Sequence, residues 1–141
     1  MKIQWFAIAL SWFAIAGNVW SGDPAPTLDE SFTAILALDK NADVGADQSR
    51  PMAAWKKIAG VPAKNLPLVL GQMKGTGPIA ENWLRAAADT IAERQLARGE
   101  ELPQADLERF VLSRSESPRA RRVAFEWVEH VDKTARARLI P

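Results

Sequence analysis

An apolar pattern that recurs after forty residues constrains this chain more than any other feature of its sequence. Superimposing the two copies sets Pro78 on Pro118, Ala80 on Ala120, Trp83 on Val123, Leu84 on Ala124, Ala87 on Trp127, Ala88 on Val128 and Ile91 on Val131. Within each copy the apolar positions fall three and four residues apart, the stripe that an α-helix buries against its neighbours. The bulky indole changes place between copies: Trp83 lies opposite Val123, and Trp127, one turn later, lies opposite Ala87. Side-chain volume is kept while its position moves. Such a chain is expected to stack helices side by side, because no single copy has enough apolar surface to bury alone.

A second helix is expected before each copy, with Leu66, Val69 and Leu70 in the first unit and Leu107, Phe110 and Val111 in the second. Two helices in about 40 residues is the unit length of HEAT-type repeats. Residues 62 to 141, above all NWLRAAADTIAER and SPRARRVAFEWVEHVDKTARARLIP, resemble the N-terminal HEAT-like α-helical repeat segment of large exported bacterial proteins of unknown function. The resemblance implies an all-α fold of stacked antiparallel helix pairs, a HEAT-like α-solenoid of about two to three pairs, at the front of a longer protein. It brings no catalytic residues with it. The expected organisation is a signal peptide over 1–21, a spacer over 22–27 and a helical repeat domain over 28–141. That domain divides into N-terminal cap helices (28–60), one repeat (62–98), a second (102–132) and the start of a truncated further repeat (134–141).

The leader MKIQWFAIALSWFAIAGNVWS has a short positive n-region at Lys2, an apolar h-region from Ile3 to Ala16, and a small-residue cleavage site at Val19-Trp20-Ser21. Its apolar core is short against the roughly 20 residues that span a bilayer. An uncleaved anchor remains the alternative. Export to the periplasm or the extracellular space after cleavage is the expectation. Of the 18 basic residues only Lys2 lies in the leader, so its removal leaves charge balanced against the 17 acidic residues, and no global field favours nucleic acid or a membrane surface. With no cysteine there are no disulfides, thiolate metal sites or lipoprotein-type acylation. An apolar content of 48% and a charged content of 25% suit one ordinary folded domain.

Helix boundaries are marked locally. Thr27 and Glu30 have capping-box spacing before the apolar face Leu28, Phe32, Ile35 and Leu36. Ser49 with Pro51 opens a helix carrying Met52, Trp55 and Ile58 that Gly60 closes, while Pro78, Pro103 and Pro118 mark first-turn positions and Gly75 and Gly99 lie past helix ends. The expected structural core includes Phe32, Trp55, Leu70, Trp83, Ile91, Phe110, Val123, Trp127 and Val131.

Four constellations could carry chemistry. Asp39, Asn41, Asp43 and Asp47 occupy alternating positions of a loop of EF-hand length, and oxygen donors so spaced are what calcium requires. Against that, Val44 stands where the loop needs glycine and Arg50 where it needs a bidentate glutamate, so a solvated Asx-rich connector is the favoured reading. Arg119, Arg121 and Arg122 crowd a helix N-terminus, where cations oppose the dipole; they form a candidate site for an anion or an acidic partner, or else pair with Glu126 and with the neighbouring repeat. His130 has Glu126 four residues before it but no third metal ligand. Trp55, Trp83 and Trp127 could form a stacking platform, but their helical spacing favours core packing.

The expected function is an exported, non-catalytic helical-repeat module for protein–protein interaction or scaffolding. The alternative is a calcium- or ligand-responsive extracytoplasmic protein using the Asp39 to Asp47 loop. No cofactor is expected, and no nucleophile, base and orienting group converge as an enzyme requires. Expected partners are another protein or later domains of the same chain, with the membrane met only in transit through the signal peptide. Leu139 and Ile140 leave an apolar edge that predicts self-association through the C-terminal end.

Overall fold

A computed structural model describes residues 26–40 and 47–139. The leader, most of the spacer, residues 41–46, Ile140 and Pro141 lie outside the described residues. Everything regular among the described residues is helical: α1 (Leu28–Leu36), α2 (Ser49–Ala59), a 3-10 turn (Ala63–Asn65) running into α3 (Leu66–Gly71), α4 (Pro78–Ala97), α5 (Gln104–Leu112), α6 (Pro118–Val131) and the short α7 (Ala135–Leu139). No described helix is long and apolar enough to cross a membrane.

The ends of these helices follow from local chemistry. At α1 the Thr27 amide donates to Glu30 Oε2 at 2.7 Å while the Glu30 amide donates to Thr27 Oγ1 at 3.2 Å, the reciprocal box that the spacing predicts. Ser49 opens α2, held by Asp47, whose carboxylate accepts from the Ser49 amide at 2.9 Å and from its hydroxyl at 2.8 Å. Pro78 and Pro118 each take the first helical position, where a missing amide costs nothing. Pro103 is instead the residue that caps α5, one place earlier in the helix frame than expected. Beyond α4, Gly99 adopts φ 72°, and the Gly99 and Glu100 amides return to the Leu96 and Gln95 carbonyls at 2.9 and 3.2 Å. That left-handed stop is one that only glycine adopts cheaply.

The helices associate in sequential pairs, α1 with α2, α3 with α4 and α5 with α6, and some cross-contacts recur from pair to pair, although the contact of α3 with α5 has no principal counterpart between α1 and α3. Thus α1 touches α4 as α3 touches α6, and α2 neighbours α4 as α4 neighbours α6. Directions follow from side-chain contacts. Glu81, Arg85 and Asp89 of α4 meet Arg119, Glu126 and Trp127 of α6 in rising order, so these helices run parallel. Within a pair the sense reverses, since Arg121 at the start of α6 reaches Val111 at the end of α5, while Gln104 at the start of α5 reaches Asp132 just beyond α6.

One apolar core threads the stack, with Ile35, Ile58, Leu66, Val69, Leu70, Leu84, Ile91, Leu107, Val123 and Val128 fully enclosed. Of the residues expected in the core, Phe32, Leu70, Ile91, Phe110 and Val123 are buried. Trp55, Trp83 and Trp127 are only half-buried, packed on the core from its edge. Val131 is 40% exposed, which corrects its assignment to the core. Its counterpart Ile91 belongs to a helix flanked by both α2 and α6, whereas among the described residues α6 has α4 on one side and beyond it only the five-residue α7. Leu139 of α7 packs against the core, so this half of the expected bare apolar edge is covered.

Candidate functional site

The arginines that crowd the start of α6 do not converge. Arg119 pairs with Glu81 of α4, Arg121 Nε donates to the Val111 carbonyl at 2.6 Å, and Arg122 Nε donates to Glu126 Oε1 at 3.2 Å. Three guanidiniums directed at three partners make staples rather than an anion cradle. Arg121 also resolves the electrostatic misfit of a cation at a helix N-terminus, because the antiparallel partner α5 ends beside it and offers its negative C-terminal end. Arg94 likewise binds backbone carbonyls, here between two pairs: from the last turn of α4 it donates to the carbonyls of Ala59, at the end of α2, and Val61, the latter at 2.6 Å.

The acidic loop is drawn apart as well. Asp39 Oδ2 accepts from the Gly77 amide at 3.0 Å and from the Ala80 amide at 3.2 Å, and its Oδ1 accepts from the Ile79 amide at 2.9 Å. Asp39 is therefore the N-terminal cap of α4, delivered from 38 residues upstream. Asp47 is committed to Ser49 as described, and those two hydrogen bonds hold its carboxyl below the ordinary range. Asn41 and Asp43 lie outside the described residues. Among the described residues no group of three or more His, Asp or Glu could hold a metal ion. His130 is exposed and stacks edge-on to Trp127 with ring centroids 5.4 Å apart, while the Glu126 expected near it pairs with Arg85 and Arg122.

The tryptophans separate into two environments. Trp127 Nε1 donates to Asp89 at 2.9 Å in the seam between α4 and α6, with Arg85–Glu126 and Arg119–Glu81 in the same seam. Trp55 and Trp83 instead face each other across the seam between α2 and α4. There, with Met52, Asn82 and Ala86, they line an open cleft of about 330 Å³. This cleft is walled mainly by apolar side chains. Its walls come from helical faces that periodicity identifies, but the gap between them does not follow from that spacing, which places Trp55 and Trp83 in the core.

No protein family, curated protein or solved structure matches the chain.

Proposed function

We propose that this chain is an exported, non-catalytic helical-repeat module of the HEAT-like α-solenoid kind that binds or scaffolds another protein. The observation that carries the reading is that two helix contacts are repeated from one pair to the next, α1 on α4 as α3 on α6 and α2 beside α4 as α4 beside α6. Stacks of this kind offer an extended surface of parallel helices rather than a catalytic pocket. Supporting it further, Asp39, Asp47, Arg119, Arg121 and Arg122 are engaged in caps and staples instead of meeting one another. Export is supported by the charge, apolar core and small-residue end of the leader.

Fractionation of the source cells, with detection through an internal epitope such as residues 100–108, tests this reading. An exported product that has lost the leader and has at least the mass of residues 22–141, recovered with a protein partner after cross-linking, is the expected result. Retention in the cytoplasm at the mass of the uncleaved chain would overturn export; a product recovered only without any protein partner would overturn the binding role. A calcium titration followed by thermal melting is expected to leave Tm unchanged, because a ligand raises Tm only by binding the native state better than the unfolded one.

A further inference from the structure

The repeat register extends past α6. Arg121, Phe125 and Glu129 of α6 stand forty residues after Glu81, Arg85 and Asp89 of α4, the three residues that meet α6. In α6 they mark the flank on which a further parallel helix would lie. Arg121 turns to the Val111 carbonyl of α5, and the other two are met by α7. Arg136 Nε donates to Glu129 Oε1 at 2.7 Å and its Nη2 to Oε2 at 3.3 Å, while the guanidinium carbon lies 5.9 Å from the Phe125 ring centroid. Thus α7 covers the flank of α6 that corresponds to the flank of α4 covered by α6.

Little of α7 is buried. Ala135 is fully enclosed and Leu139 is half-buried, but Arg136, Ala137 and Arg138 are exposed. Beyond those two apolar contacts α7 is held by charge, through Arg136 on Glu129 and through Arg138 on Asp132 and on Glu108, the last at 3.0 and 3.2 Å. The Arg136 and Arg138 side chains are 68% and 46% exposed, so water and salt reach both. The principal contacts of α7 are with α5 and α6 alone. Five residues are also far short of the roughly 12–15 that an isolated helix needs. At the root of α7 the chain leaves α6 through Asp132, whose backbone is extended, and Asp132 accepts from the Thr134 amide and hydroxyl at 2.9 and 2.7 Å. That turn closes locally and asks nothing of the rest of the fold.

We propose that α7 is an electrostatically latched strap, which closes the outer flank of α6 and swings out from Asp132 while α1 to α6 stay folded. Its release uncovers Phe125 and Glu129 on the flank where the register of the stack admits another helix, so the strap governs access to that flank. Exposed ion pairs each contribute little, and salt screens them. A segment held by two arginines, one enclosed methyl group and a half-buried leucine therefore opens at the low-energy end of local unfolding. The contrast is α6, which also pairs with α4 by charge but encloses Ala120, Val123, Ala124 and Val128, so that its seat does not depend on the ion pairs.

The chain has no cysteine, so one introduced thiol reports opening where it is placed. Ala135→Cys and Ala124→Cys each put a thiol at a fully enclosed position, the first under the strap and the second in the body of α6. Labelling by a maleimide is measured on the folded proteins, relative to the urea-unfolded chain in the same sodium chloride. At position 135 it is expected to be at least about tenfold faster in about 1 M than in about 0.1 M salt, and faster again after Arg136→Gln with Arg138→Gln. Labelling at position 124 is expected to respond to neither change. Equal labelling at the two positions under every condition would overturn the proposal, because α7 would then open only with the whole fold. Indifference of position 135 either to salt or to the loss of both arginines would overturn the latch. Amide hydrogen exchange over residues 135–139 of the unsubstituted chain is expected to show the same salt response; its absence there would overturn the proposal without relying on any variant.

Discussion

Gly77 and Asp39 solve jointly a problem that Ser117 solves alone. Each long helix of the stack begins with proline and leaves its next amides without intrahelical acceptors. At α6 the Ser117 hydroxyl accepts from the Ala120 amide at 3.1 Å. At α4 the equivalent residue is glycine, and the space a side chain would occupy is filled by the Asp39 carboxylate: a Cβ built on Gly77 would lie 2.6 Å from Asp39 Cγ. Asp39→Ala is therefore expected to destabilise the fold by about 1 kcal/mol, the usual worth of a cap, measured by urea unfolding without calcium. Adding Gly77→Ser to Asp39→Ala should recover much of that loss by moving the cap onto the helix itself, whereas Gly77→Ala alone should be destabilising through the clash. An Asp39→Ala protein as stable as the parent would show the long-range cap to be dispensable.

At the level of helices, periodicity revealed the faces but not the depth to which each residue is buried. Ala80, Leu84, Ala87, Ala88, Ala120, Val123, Ala124 and Val128 are enclosed as the stripe requires. Trp83 and Trp127 lie at the margins of that stripe, and whether a margin is covered depends on the neighbouring helix, which one helix's pattern does not encode. Ile91 and Val131 make this measurable. Ile91→Ala should cost roughly 2–5 kcal/mol, as for a fully enclosed aliphatic side chain, and Val131→Ala well under about 1 kcal/mol, as for exposed positions away from special features. Equal losses in equilibrium unfolding would contradict their different coverage. Local signals served the helix starts well, because Thr27 with Glu30 and Ser117 with Pro118 act within a turn. Asp39 was illegible as a cap for the converse reason: its acceptor role depends on a helix 38 residues away, and its own neighbourhood imitates a calcium loop. The one sequence hint was a cap position occupied by Gly77, with no side chain of its own to do the work.

The whole molecule carries a group of depressed carboxyl groups at its edges, and they set its response to acid. Asp132 is drawn down to about 2, first by the hydroxyl and amide of Thr134 and then by Arg138, which also pairs with Glu108 and so ties α7 to α5. Glu108, Glu129 and Glu30 are lowered as well, by Arg138, Arg136 and the Thr27 amide respectively. A folded-state pKa below the unfolded one stabilises the protein above the unfolded value, and that contribution is lost as pH falls towards the folded one. Tm is thus expected to be level in this respect near neutrality and to drop from about pH 4.5 towards pH 2. Asp132→Asn should have a lower Tm at pH 7 and a shallower acid limb in circular dichroism melts; parallel limbs for the two proteins would remove Asp132 from the account. The pairwise stacking has a kinetic side too. Among the described residues none of the principal helix contacts joins α1 or α2 to α5, α6 or α7, so these helices close no loop longer than about one unit and its neighbour before packing is rewarded. Low contact order of this kind shortens the search, and it lets each end open without waiting for the other.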